Sequence, residues 1–562
     1  MTHGWKVWAR IGGAGLALAL AASACGGSSN NDKNSSKQGS GKQGGTLHYL
    51  TIADFEHLDG GQIYVSNELN VAPLLYRTLT AYKHVTGPEG GKVVGDLAKD
   101  YTKSTDCQTW TFHIRDGLKY QDGSPIKPED IKYAIERTFT DEVSNGPTYP
   151  KDYIQGGDTY KGPYTDPTGD LSGIQISGNT MTFKLVKPVC DFDYTVAFPF
   201  TAPVPKAKDT KLDYDNSPVA SGPYKIQKYE RDKQLVLVRN SNWDRASDPV
   251  RKAYPDKVVF DVNVQQETLV QRLINDQGDD QFAITDTSAT AADMPTIAGK
   301  PSVKSRLLNF GDGSAWYIGI NTTKVTNIAI RKALNTMVAR QDAIASLGGP
   351  VAGDPANGFT APNMPTYRKF DLYHPGANGD PAKAKQILQQ AGVSMPVPLT
   401  FAYADNPTAK SIFEALQRGY ERDQVFKITP DPVQPKVFYT TVGKPATEPD
   451  LVFVGWGADW TSGSTVVPPL FDGKQIKQSG NQNYSQLNDP EINSKMYEIE
   501  KMTDNDKAQK AWADLEQQIL KKDAPIVPVY YRKVRILHGS KIHCVWNHPY
   551  YNAFDLSSCS VG

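Results

Sequence analysis

The sequence predicts an α/β protein of two or three domains. Its 562 residues exceed what one hydrophobic core organises, since single cores stop growing at about 250–300 residues. Up to about residue 300 the chain is rich in short strands with occasional helices. After about residue 305 strands alternate with amphipathic helices, the pattern of an α/β lobe. No internal repeat is visible.

The first 44 residues stand apart. Lys6 and Arg10 precede residues 11–24, an uncharged Ala/Leu/Gly-rich run of 14 residues. A bilayer takes roughly 20, so the run reads as a signal peptide. It ends in Ala21-Ala22-Ser23-Ala24-Cys25, which resembles a bacterial lipobox with Cys25 as the lipid-modified residue and Ala22 where Leu is usual. Residues 26–44 carry no aliphatic side chain and are expected to be a flexible tether.

The folded chain then opens with a strand at 46–50. A helix is expected at 67–79, interrupted by Pro73. Alternation at Trp110, Phe112 and Ile114, and again at Met181, Phe183 and Leu185, predicts two half-buried strands. Pro128 starts a helix with Ile131, Ile135 and Phe139 on one face. Strands follow at 234–240 and 258–264, and a helix at 267–275.

In the second half a strand at 316–321 precedes a helix capped by Asn327, and Asp380-Pro381 starts another that Gly392 stops. A strand at 399–403, a helix at 412–420, a buried strand from Leu451 to Val454, a helix at 508–519 and a strand at 526–531 complete the pattern.

Composition excludes several function classes. Lys plus Arg and Asp plus Glu both number 61, so no global charge draws the chain to nucleic acid. No Gly-x-Ser-x-Gly elbow, phosphate-binding Gly-x-x-x-x-Gly-Lys or His-Glu-x-x-His occurs, and no catalytic residue is assigned. His538, His543, Cys544 and His548 fit no standard zinc frame, so no metal or cofactor is expected. Besides Cys25 there are four cysteines. Antiparallel pairing of the strands beside Cys107 and Cys190 would join those two, leaving Cys544 with Cys559.

The most informative stretch is 449–472. Leu451 to Val454 is an apolar run that stops at Gly455-Trp456-Gly457, where two glycines leave room for something to approach. Asp459 follows, between Trp456 and Trp460: a carboxylate with aromatic neighbours at the end of a buried strand, where open α/β folds bind ligands. The same pattern also fits a helix-capping Asp beside two core Trp.

Taken together, several blocks resemble the peptide-binding family of extracytoplasmic solute receptors serving ABC importers, the oligopeptide, dipeptide and nickel binders. They are Gly44 to Leu47; Asp96 to Phe139, with Trp110 to Gly117 and Asp122-Gly123-Ser124-Pro125; Ser221-Gly222-Pro223-Tyr224 with Arg239-Asn240; Gly319-Ile320-Asn321; Ile330 to Leu334; Asp380 to Gly392; and Asp450 to Trp460. The resemblance implies a two-lobed, type II-like periplasmic-binding-protein cleft fold with an extra subdomain in the first lobe. It places lobe one at about 45–300 plus 525–562, the subdomain within about 80–215, and lobe two at about 305–520.

It also implies a monomeric, non-enzymatic receptor, lipid-anchored at Cys25 on the outer face of the cell membrane. Such a receptor closes around a peptide and hands it to a permease with ATPase subunits. Trp456-Gly457-Ala458-Asp459-Trp460 matches the segment in which the oligopeptide members receive the ligand's α-ammonium group, so Asp459 is the expected anchor. Trp456, Trp460, Asn321 and Tyr484 are further candidate ligand contacts, as are Trp316 and Tyr317. A nickel chelate, a sugar, a small amine or a peptide serving as a signal are the alternative ligands.

Overall fold

The computed structural model describes residues 41–143, 145–477, 481–543, 546–551 and 553–562. Cys25, most of the tether and Cys544 lie outside them, so the expected lipidation and the Cys544–Cys559 pairing fall on residues not described. Cys559 is buried. Among the described residues no helix is long and apolar enough to cross a membrane.

The strands gather into two main sheets. The first contains β1 (Thr46–Leu50), β2 (Tyr224–Glu230), β3 (Gln234–Arg239), β4 (Lys257–Asp261) and β5 (Ala283–Thr285), in the order β5-β1-β4-β3-β2. β1 runs parallel to both neighbours. The period-2 pattern read from the sequence sets which face is buried: Leu47, Tyr49, Val258 and Phe260 enter one core with the helix Ser66–Leu75.

The second sheet contains β6 (Leu307–Ile320), β7 (Gly353–Pro355), β8 (Val397–Ala404), β9 (Phe426–Val433), β10 (Leu451–Gly457) and β11 (Ile526–Leu537), in the order β7-β11-β6-β10-β8-β9. Helices fill its faces. Asn327 and Asp380 cap theirs as expected, their side chains accepting from the Ala329 and Lys383 amides. β9 carries Pro430 and Pro432, which cannot donate to a ladder, and it lies at the sheet edge where they do least harm.

β6 and β11 are longer than the sequence pattern suggests, and they tie the two sheets together. Ile318, Val527 and Val529 pack in a core of the second sheet, whereas Leu308 and Ile536 pack in that of the first. His538, just past β11, bridges to Ile284 in β5. The return of the chain toward the first sheet, expected at about 525, is therefore made within β11 itself. Register shifts in the β6–β11 ladder between Gly311 and Ala315 bend the pair at the crossing.

A smaller sheet orders Ala98–Lys103, Thr109–Ile114, Thr180–Lys184 and Ile174–Ser177, covered by the helix Pro128–Arg137. Thr109–Ile114 pairs antiparallel with Thr180–Lys184, so the start of one lies beside the end of the other. Cys107 and Cys190 meet there in a disulfide with Cα atoms 5.0 Å apart, closing a separation of 83 residues. Cys107→Ser with Cys190→Ser is expected to lose about 2–5 kcal/mol. Thermal melts would show the loss, and a reducing agent should bring the unaltered protein to the same midpoint.

Candidate functional site

Parallel strands from both sheets end at one place. β1 ends at Leu50, followed by Thr51; β5 ends at Thr285, followed by Asp286; β10 ends at Gly457, two residues before Asp459. The crevice beyond such ends is where α/β sheets bind ligands. Here it is a cavity of about 590 Å³ whose lining includes Tyr64, Asn70, Asp286, Trp316, Asp459 and Arg532. A second chamber of about 700 Å³ shares Asp286, Trp316, Arg532 and Val534 with it. Both volumes lie within the usual range for small-ligand sites.

Asp459 comes from the β10 end, but the groups that meet it come from elsewhere. Its Oδ2 accepts the hydroxyl of Tyr64 at 3.1 Å and that of Tyr149. No cation lies within 4.0 Å of it among the described residues. Burial raises its pKa above the ordinary carboxylate value, and the Tyr149 and Tyr64 hydroxyls offset part of that shift. The capping role open to Asp459 in sequence falls to Ser462, whose side chain accepts from the Ser464 amide at the next helical turn.

Trp456 lines the cavity and donates its indole N–H to the Thr465 carbonyl at 2.9 Å, which fixes the ring. The room left by Gly455 is taken by Trp316. A Cβ there would come within 2.6 Å of that indole. Trp316 faces Gly455 across the β6–β10 ladder and lies parallel to Tyr530 at 6.1 Å. What approaches the glycine is thus the protein's own tryptophan. Tyr317 points to the opposite face and is buried in the core there.

The other candidates lie away from the cavity lining. Trp460 is 1 % exposed and belongs to the core around the smaller sheet. It packs on Tyr149 at 4.9 Å and donates to Asp191 Oδ2 at 2.9 Å. Asn321 follows the far end of β6, five residues or about 16 Å from Trp316. Its Oδ1 accepts from the Thr323 amide and hydroxyl in a local turn. Tyr484 is buried against Gly319 in a core of the second sheet. Sequence proximity, strand membership and aromatic character point these three toward Asp459, and none of those signals specifies direction.

Tyr64, Tyr149, Asp286, Asp312 and Arg532 escaped the sequence reading. Asp312 sits where the β6–β11 register shifts, and it forms an ion pair with Arg532 of β11. Tyr64 and Tyr149 lie 395 and 310 residues from Asp459, and no local pattern marks them. Asp286 had one available signal, an acidic residue immediately after a short apolar strand, where Asp459 stands two residues past its own.

Residues 92–478, more than half of the chain, match the family model described as Bacterial extracellular solute-binding proteins, family 5 Middle. Among relatives, the Di/tripeptide-binding protein 1 of Pseudomonas aeruginosa is 24 % identical over 496 residues, 81 % of this chain and 84 % of that protein. The periplasmic oligopeptide-binding protein OppA of Salmonella typhimurium is 25 % identical over 505 residues, 85 % of this chain and 86 % of that one. Among solved structures, the clavulanic acid biosynthesis oligopeptide binding protein 2 superposes with a TM-score of 0.88 at 29 % identity, covering 93 % of this chain and 96 % of that one. The two-lobed, type II-like periplasmic-binding-protein fold is therefore the fold of this chain.

Proposed function

Because the chain belongs to the family 5 bacterial extracellular solute-binding proteins, an extracytoplasmic family of transport receptors and not of enzymes, we propose that it captures peptides and delivers them to the permease of an ABC importer. The observation that carries this reading is Asp459, a carboxylate with no cation of the described residues beside it, facing a cavity between strand ends of both sheets. Peptides of any sequence share a charged amino end and a backbone, so one anchoring carboxylate serves many of them. The Tyr64 and Tyr149 hydroxyls hold Asp459 in place with their own acceptor capacity to spare. Asp459 of lobe two already meets Tyr64 of lobe one, so capture requires the lobes to part there and close again around the ligand.

In this reading Cys25 carries the lipid that holds a monomeric receptor at the outer face of the membrane, with residues 26–44 as its tether. Lobe one comprises about 45–300 with the C-terminal return, and lobe two about 305–520. Mass spectrometry of ligand released from the purified protein is expected to find peptides with free amino ends. A sugar or nickel chelate in their place, or hydrolysis of the peptides, would overturn the proposal.

A further inference from the structure

We propose that Asp286 is a second cation-binding position in the same cavity, so that the preferred peptide carries a basic side chain besides its terminal ammonium. This rests on the peptide reading and narrows its substrate class.

The charges of the cavity do not balance. Asp286, Asp312 and Asp459 line it, against one guanidinium, that of Arg532, among the described residues. Arg532 is committed to Asp312. Asp286 and Asp459 therefore share the cavity with no cation of the described residues within 4.0 Å of either. One ligand ammonium neutralises one of them and leaves the other as an uncompensated, half-buried charge, which is costly.

The neighbours of Asp286 are neutral and hold it loosely. Thr51 and Thr287 hydroxyls donate to its two oxygens at 3.4 and 3.2 Å, and the buried Tyr49 hydroxyl also faces it; three hydroxyls leave acceptor capacity on the carboxylate. In the second chamber Lys533 is paired with Asp354, and the Arg535 guanidinium reaches toward the Leu347 carbonyl. Burial raises the Asp286 pKa, as expected of a carboxylate lacking a counter-ion.

An independent feature points to the ligand's backbone. Asn70 is 3 % exposed and lines the cavity, and among the described residues its amide nitrogen has only the Tyr49 hydroxyl as a neighbour, with no hydrogen bond of normal geometry. The Trp316 indole N–H, also on the lining, is likewise unpartnered. Both are donors suited to the carbonyl oxygens of a peptide. Asp286 stands at the junction of the two chambers, where a side chain leaving the main-chain position would pass.

The test is calorimetric titration of the purified protein with tripeptides of alanine carrying lysine at one position, each beside its norleucine counterpart of similar length. At one position lysine is expected to bind about tenfold or more tightly than norleucine. Asp286→Asn should erase that difference, the lysine peptide binding no more tightly than its norleucine counterpart, while Asp286→Glu should retain a lysine preference. Equal binding of lysine and norleucine peptides at every position would overturn this inference and leave the peptide reading standing. A lysine preference that survives in Asp286→Asn would do the same. Failure of every peptide to bind would overturn both.

Discussion

Asp459→Asn is expected to weaken binding of peptides with a free amino end by about tenfold or more, and to leave N-acetylated peptides almost unchanged. Asparagine keeps the shape and can still accept from Tyr64 and Tyr149, so only the charge is removed. Two further consequences follow from the raised pKa of Asp459. An ammonium binds the ionised carboxylate, so acidification through that pKa forces the ligand to compete with a proton, and affinity falls as pH falls. The variant should lose this pH dependence.

Stability runs the other way. The pKa is higher in the fold than in the unfolded chain, so stability is fullest below the unfolded value and declines as pH rises through the folded one. The ligand-free variant should accordingly melt higher than the unaltered protein at about pH 8, with the gap closing near about pH 4. Equal loss of affinity for free and acetylated peptides would return Asp459 to a structural role.

Trp460→Ala is expected to cost about 3–5 kcal/mol of stability, the range for removing a large aromatic from a packed core. The ring is surrounded by Tyr149 and Phe198, and its indole N–H satisfies Asp191. The Ser464 hydroxyl, at 2.6 Å, would remain as a donor to that carboxylate. Denaturant melts measure the loss, and Trp460→Phe should recover much of it by refilling the volume. A variant that melted normally yet bound peptide poorly would make Trp460 a wall of the site.

Adjacent residues thus divide between two roles. Asp459 faces the cavity and Trp460 the core, because consecutive side chains after a strand diverge. Sequence showed both as candidates and could not say which went where. The same limit appears at β6, where Trp316 and Tyr317 looked equivalent and alternation sent one to the cavity and the other inward. Residue type alone marks Asn321 and Tyr484 as candidates, and their distance from the site depends on strand length and on packing between elements remote in sequence.

The sequence by itself determined the α/β class, the change of texture near residue 305, the buried strand that delivers Asp459 and the antiparallel pairing that brings Cys107 to Cys190. Each of these is encoded within some tens of residues or by a hydrophobic period. Tertiary structure decided the rest: that Trp316 occupies the space above Gly455, that Tyr64 and Tyr149 hold Asp459, and that Asp286 shares its cavity. Those groups come from strand ends and loops hundreds of residues apart. Their charge balance and unmet hydrogen bonds exist only once the sheets have placed them together.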